Sequence, residues 1–211
     1  MKIKIFPFNP LQENTFVLYD ETGECAIVDP GCLTDDEFNV LNSFITDNHL
    51  KPVKLINTHC HFDHIFGVNK CREKYGLHWE AHPDDAFLVE SAPSQGAMFG
   101  MNIPPIEPPE KFLNEAGSVK FGNTSLQLFH VPGHSPGSLC FYNAESSMLI
   151  AGDVLFRGSI GRTDLPKGDY DTLIEGIKQK LLVLPGNVVV YPGHGPTTTI
   201  AEEKTGNPFL Q

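Results

Sequence analysis

Thr58-His59-Cys60-His61-Phe62-Asp63-His64 places three imidazoles and a carboxylate within a handful of residues. The whole chain holds only nine His in 211 positions, so this concentration marks a shared task and not composition. In extended or looped backbone, residues two apart face the same way. His59 and His61 can therefore grip one ion, while Asp63 and His64 open the next helix and can reach a second. Neutral imidazole and carboxylate suit zinc, iron or manganese. Cys60 points opposite to its two His neighbours and is expected to pack, not to react.

Outward from this stretch, Val53–Ile56 reads as a buried strand on one side. On the other, the spacing of Ile65, Val68 and Cys71 predicts a helix over Ile65–Tyr75 that stops at Gly76. The chemistry thus sits at a strand-to-helix junction. Lys2–Phe8, Thr15–Tyr19 and Cys25–Val28 read as three strands. Thr34 and Glu37 have capping-box spacing, and Phe38, Leu41, Phe44 and Ile45 continue a helix to about His49. A strand near His78–Ala81 and a helix from about Asp84 to Ser91 precede the Pro-rich stretch Ile103–Pro109, read as a surface loop or active-site flap. The second half predicts strands at Ser118–Phe121, Ser125–His130, Ser138–Tyr142 and Met148–Ala151, a helix over Tyr170–Leu184 and a strand at Val188–Tyr191. Both halves run strands first and then a helix. That order favours an α/β fold, a four-layer αββα sandwich, with another layered α/β arrangement left open. The length and a hydrophobic fraction of 40% suit one domain over residues 1–211.

Three further segments offer ligands, each just after an apolar strand and framed by Gly or Pro: Pro132-Gly133-His134-Ser135, Gly152-Asp153 and Pro192-Gly193-His194-Gly195. Such framing fixes the backbone and lets it pass close to a site. His134 would complete the first metal, His194 the second, and Asp153 could bridge both. His78 and His82 read as surface or satisfied core residues, and His130 as a support.

With these segments in view, the chain resembles the metallo-β-lactamase fold superfamily, and within it a short form of the glyoxalase II (hydroxyacylglutathione hydrolase) group. The likeness runs in family order from Asp29-Pro30-Gly31 through His59, His61, Asp63 and His64 to Pro132-Gly133-His134-Ser135, Gly152-Asp153 and Pro192-Gly193-His194-Gly195. It implies the αββα fold and a dinuclear centre held by His59, His61, Asp63, His64, His134, Asp153 and His194, with Asp153 bridging and Asp63, His64 and Asp153 at the heart of catalysis. It also suggests that Asp29 lies under the site and orients a ligand His; a simple turn ahead of Pro30 is the alternative. Ser135 and Thr58 look like loop-fixing residues.

Two ions sharing a water would lower its pKa from ~15.7 to about 7, giving a bridging hydroxide for attack on a carbonyl. The expected reaction is hydrolysis of a small-molecule thioester of the hydroxyacylglutathione type, or of another ester, with zinc, iron or manganese as the metals. Long glyoxalase II proteins carry a C-terminal helical extension that binds glutathione, whereas 15 residues follow Pro196 here. The stretch Val154–Asp164 is similar to the short forms and also to persulfide dioxygenases, which use one iron at positions matching His59, His134 and Asp153. A lactonase or other ester hydrolase of the superfamily is the further alternative. Arg162 would receive a substrate carboxylate or pair with Asp164.

A formal net charge of -11 makes nucleic acid an unfavourable partner. No apolar run approaches the ~18 residues of a membrane span, so the expected location is cytoplasmic. Five Cys without a C-x-x-C pair read as reduced thiols.

Overall fold

The computed structural model describes residues 1–211. Strands β1 (Lys2–Phe8), β2 (Glu13–Tyr19), β3 (Glu24–Val28), β4 (Lys51–Ile56), β5 (Trp79–Ala81) and β6 (Lys111–Phe112) form one sheet in that order. The first two pairings are antiparallel and the remaining three parallel. Strands β7 (Ser118–Phe121), β8 (Thr124–His130), β9 (Leu139–Asn143), β10 (Met148–Gly152), β13 (Val189–Pro192) and β14 (Thr198–Thr199) form a second sheet in the order β14-β13-β10-β9-β8-β7. A small hairpin, β11 (Leu155–Phe156) with β12 (Ser159–Ile160), stands beside it.

The period-two alternation of the strands divides the core into layers. Phe16, Leu18, Ala26, Val28 and Ile56 meet Val119, Phe121, Leu126, Leu128, Phe141 and Ile150 between the sheets. Their neighbours Val17, Cys25, Ile27 and Leu55 face the other way, onto Leu41, Ile45, Val68, Cys71 and Leu88 of the helices α1 (Asp35–Asp47), α3 (Val68–Tyr75) and α4 (Ala86–Met98). On the far side, Leu149, Ala151, Val188 and Val190 pack against Leu173, Ile177 and Ile200, which belong to α5 (Tyr170–Gly176), its π-helical continuation over Ile177–Leu181, and α6 (Ile200–Gly206). The result is the four-layer αββα sandwich expected from the sequence.

Thr34 caps α1 in the full reciprocal arrangement, its hydroxyl accepting from Glu37 N while Glu37 Oε2 accepts from Thr34 N. The helix expected over Ile65–Tyr75 is instead two pieces, α2 (Phe62–Ile65) and α3, broken around Gly67. Gly67 sits where a Cβ would lie 2.2 Å from Cys32 Sγ, and its N–H donates to Pro30 O at 2.7 Å, so tertiary contact overrides helical spacing. Helix α4 runs seven residues past the expected end at Ser91, through Pro93 to Met98, because Ala92 and Gly96 pack into the core. The expected loop Ile103–Pro109 is a loop, but it does not stand free as a flap: Ile103 and Ile106 are buried and Asn69 Nδ2 donates to Pro105 O, pinning it to α3. No helix is long and apolar enough to cross a membrane.

Candidate metal centre

Each candidate side chain expected from the sequence stands in the turn after a strand or, for Asp63 and His64, in the short helix α2 that follows it. His59, His61, Asp63 and His64 follow β4; His134 follows β8, Asp153 follows β10 and His194 follows β13. All seven converge between the ends of the two sheets. His59 Nε2 and His61 Nδ1 lie 3.3 and 2.8 Å from His134 Nε2. Beside them, Asp63 Oδ2 lies 3.2 Å from His194 Nε2 and 3.9 Å from His64 Nε2. Asp153 stands between the two groups: Oδ2 is 4.0 Å from His59 Nε2, 3.6 Å from His134 Nε2 and 3.7 Å from His194 Nε2, while Oδ1 is 3.5 Å from His64 Nε2.

The tautomers follow from the outer partners. His134 Nδ1 faces Arg162 O at 2.8 Å, His194 Nδ1 faces Leu11 O at 3.0 Å, and His64 Nδ1 faces Asp29 Oδ2 at 3.2 Å. Each acceptor demands a proton on Nδ1. Thr58 Oγ1 gives its one proton to Asp29 and so accepts from His59 Nδ1 at 3.1 Å. Four Nε2 lone pairs therefore point into the centre, a ring of acceptors with no donor among them. His64 Nε2 and Asp153 Oδ1 are buried without any hydrogen-bond partner. Such orphaned acceptors are costly unless a cation completes them. The donor set of imidazoles and carboxylates fits a divalent metal, and His59, His61 and His134 form one group that could hold an ion while Asp63, His64 and His194 form another.

Electrostatics divide the imidazoles. Against burial, which lowers them, Asp153 and Asp63 push His64 well above its usual range and Asp63 and Asp153 raise His194, so without an ion these two tend to carry a proton. Burial, then the neighbouring imidazoles, hold His61 down to about 3 and His59 well below its usual range, so both stay neutral. Burial alone would raise the Asp153 carboxyl, but His64 and the other imidazoles hold it well below the usual range, so it is ionised.

Asp29 lies under the site, as the resemblance suggested. Its carboxylate takes the Thr58 N–H at 2.7 Å, the Thr58 hydroxyl at 2.5 Å, Asn57 Nδ2 at 3.1 Å and His64 Nδ1, and so orients His59 and His64 together. Arg162 pairs with Asp164 through two bonds of 2.7 and 2.8 Å, the structural alternative, and only its carbonyl touches the site. Cys60 is buried in the core on the side away from the ligands, and all five Cys are free thiols.

Sequence reasoning missed Glu13 and Asp85. Glu13 is wholly buried, with Oε1 unpaired 3.7 Å from His64 Nδ1, and burial pushes its carboxyl well up. It lies on β2, far from the motif in sequence, and only its place in the polar run Gln12-Glu13-Asn14 sets it apart. Asp85 joins two ligand loops, and nothing in His82-Pro83-Asp84-Asp85 distinguishes it from an ordinary helix-start acid.

The sequence profile of the metallo-beta-lactamase superfamily matches residues 8–194. The chain is 39% identical over 212 aligned positions to hydroxyacylglutathione hydrolase GloC of Haemophilus influenzae, covering 100% of this chain and 98% of that protein. Among solved structures, BLEG-1 B3 metallo-beta-lactamase superposes with a TM-score of 0.91 at 37% identity, covering the whole of both chains. TTHA1623, solved in a di-iron-bound form, superposes with a TM-score of 0.87 at 38% identity, covering 98% of this chain and 100% of that one. The profile match over nearly the whole chain, the four-layer fold and the seven converging His and Asp side chains lead to one conclusion: this chain belongs to the metallo-beta-lactamase superfamily of metallo-hydrolases.

Proposed function

We propose that the protein is a dinuclear metal-dependent hydrolase that acts on small thioesters of the hydroxyacylglutathione type. The observation that carries the dinuclear part is the position of Asp153, whose oxygens reach toward both ligand groups at 3.5 to 4.0 Å. Two divalent ions held there supply Lewis acidity toward a carbonyl oxygen and lower the pKa of water from ~15.7 to about 7. His59, His61 and His134 would hold the first ion and Asp63, His64 and His194 the second, with Asp153 placed to serve both.

No side chain beside the centre is free to act as nucleophile. The Cys60 thiol is driven well above its usual range by burial, and Ser135 Oγ is engaged with Asp85 and Ser138. The chain's own residues therefore bind and orient, leaving the attack to activated water. His194 and Asp153 are the more exposed edge of the centre, with side chains 26% and 13% accessible, and substrate approaches from that edge. A thiolate leaves readily, since its conjugate acid has a pKa near ~8.5, so the lack of a spare general acid suits a thioester better than an amide.

The thioester assignment rests on likeness to the Haemophilus protein named hydroxyacylglutathione hydrolase. A β-lactam is the second substrate class, favoured by likeness to BLEG-1. Zinc is the expected metal, with iron supported by the di-iron form of TTHA1623. The second group, Asp63, His64 and His194, has its donor atoms within 4.8 Å of one another and supports two ions, and counting bound metal separates this reading from a single-iron persulfide dioxygenase.

The test is hydrolysis of S-lactoylglutathione by protein reconstituted with zinc, iron or manganese, with a β-lactam panel run alongside. Thioester turnover well above that on β-lactams is expected. Turnover on β-lactams alone, or on neither with any metal, sinks the thioester reading.

A further inference from the structure

The three imidazoles of the first group come from different sheets, His59 and His61 from the turn after β4 and His134 from the turn after β8, and something must set their spacing. Asp85 spans that gap. It sits just before α4, fully buried, and its carboxylate accepts three hydrogen bonds. Oδ2 takes the Cys60 N–H at 3.0 Å and the Ser135 hydroxyl at 2.9 Å, and Oδ1 takes the Gly137 N–H at 2.7 Å. Cys60 lies between His59 and His61, and Ser135 follows His134 directly.

A second brace acts on the same loop. His82, three residues before Asp85, stacks on His130 with ring centroids 4.3 Å apart and planes 15° from parallel, and His130 Nε2 faces Pro136 O at 2.7 Å. Gly137 leaves no slack, since a Cβ there would lie 2.7 Å from Asp85 Cγ and 3.0 Å from His82 Cβ. The two stacked rings brace the loop by packing, and with Asp84 their donor atoms lie within 4.8 Å of one another.

We propose that Asp85 is a positioning residue that locks the His59–His61 turn to the His134 turn and so sets the affinity of the three-imidazole group for its ion. This rests on reading that group as a metal site. Each bond to a carboxylate is charge-assisted and buried, so it holds the turns more firmly than a neutral contact would. Removal of an outer partner of a metal site costs about 10–100-fold in metal affinity.

The test measures zinc affinity of metal-free protein by competition with a chromophoric chelator. It uses a His194→Ala background, so that the ion followed is the one at His59, His61 and His134. Asp85→Asn keeps the shape but turns one acceptor into a donor facing an N–H or hydroxyl, and is expected to weaken zinc about 10–100-fold. Ser135→Ala removes one of the three bonds, should move affinity the same way by a smaller factor, and carries the test if Asp85→Asn does not fold. Glu90→Gln, at an exposed position on α4, should match the background protein. Unchanged affinity in Asp85→Asn or Ser135→Ala, with a lowered unfolding midpoint of the metal-free protein, would reduce Asp85 to a fold-holding residue and overturn the inference. Failure of the protein with intact ligands to bind zinc, iron or manganese would instead sink the metal reading itself.

Discussion

Four of the five imidazoles at the centre have their Nδ1 proton committed to an outer acceptor, Thr58, Asp29, Arg162 O or Leu11 O, and this directs Nε2 inward. The convergence of the seven candidate side chains was legible in the sequence, because two-residue spacing and Gly or Pro framing are local patterns. Their acceptors were less so, since Arg162 O and Leu11 O belong to backbone that any residue could supply. Close packing around the ligands makes one residue-scale prediction. A Cβ on Gly193 would lie 2.2 Å from Asp153 Oδ1 and 2.7 Å from His64 Cε1. Gly193→Ala should therefore displace the Asp153 carboxylate and, on the proposed function, lower kcat at least about 100-fold, as expected for a misplacement near 1 Å. Its stability, measured by denaturant unfolding, should fall by only about 1–3 kcal/mol.

At the scale of elements, strands and helix starts could be read from alternation and capping, and Thr34 with Glu37 is the clearest instance. What could not be read is where one element is bent by another. Ile65–Tyr75 keeps helical spacing, yet Gly67 is pressed against Cys32 and Pro30 and the helix breaks there. Likewise α6 after Pro196 is tied to a distant segment: Glu203, buried in α6, accepts from its neighbour Thr198 in β14 and from Gly158 N. The break at Gly67 joins α2, which carries Asp63 and His64, to the Pro30 turn next to Asp29. Gly67→Ala is expected to destabilise the fold by about 1–3 kcal/mol through overpacking, seen as a lower denaturation midpoint. It should also reduce the affinity of the ion at Asp63, His64 and His194 more than that at the three-imidazole group.

Across the whole molecule the two sheets are joined at both ends, by the seven converging His and Asp side chains at one and by Asp20 at a corner of the other. Asp20 follows β2 and accepts from Thr22, from Asn123 N at 2.8 Å in the β7–β8 turn and from Thr124 Oγ1 at 2.9 Å at the start of β8 in the second sheet. Burial alone would raise its carboxyl, but these bonds lower it from 3.8 to about 2. A carboxyl lowered on folding stabilises the native state above its unfolded value and loses that contribution as pH falls through the folded one. Wild-type stability should thus drop between 3.8 and about 2 partly through Asp20, and Asp20→Asn should flatten that part of the curve in acid unfolding followed by circular dichroism. An unchanged acid limb in the variant would count against the corner bond. The four-layer arrangement that creates both joints was legible from element order, whereas Asp20 was not, because its partners lie about a hundred residues away.

The central claim is that Asp153 joins two metal groups into one centre, and counting bound metal tests it most directly. Metal per chain should be measured by elemental analysis after reconstitution and desalting, for wild type and Asp153→Ala. Two ions per wild-type chain, with both weakened and thioester turnover lost together in the variant, is the predicted result. One ion per wild-type chain, or a variant that keeps its full metal content and activity, would contradict it.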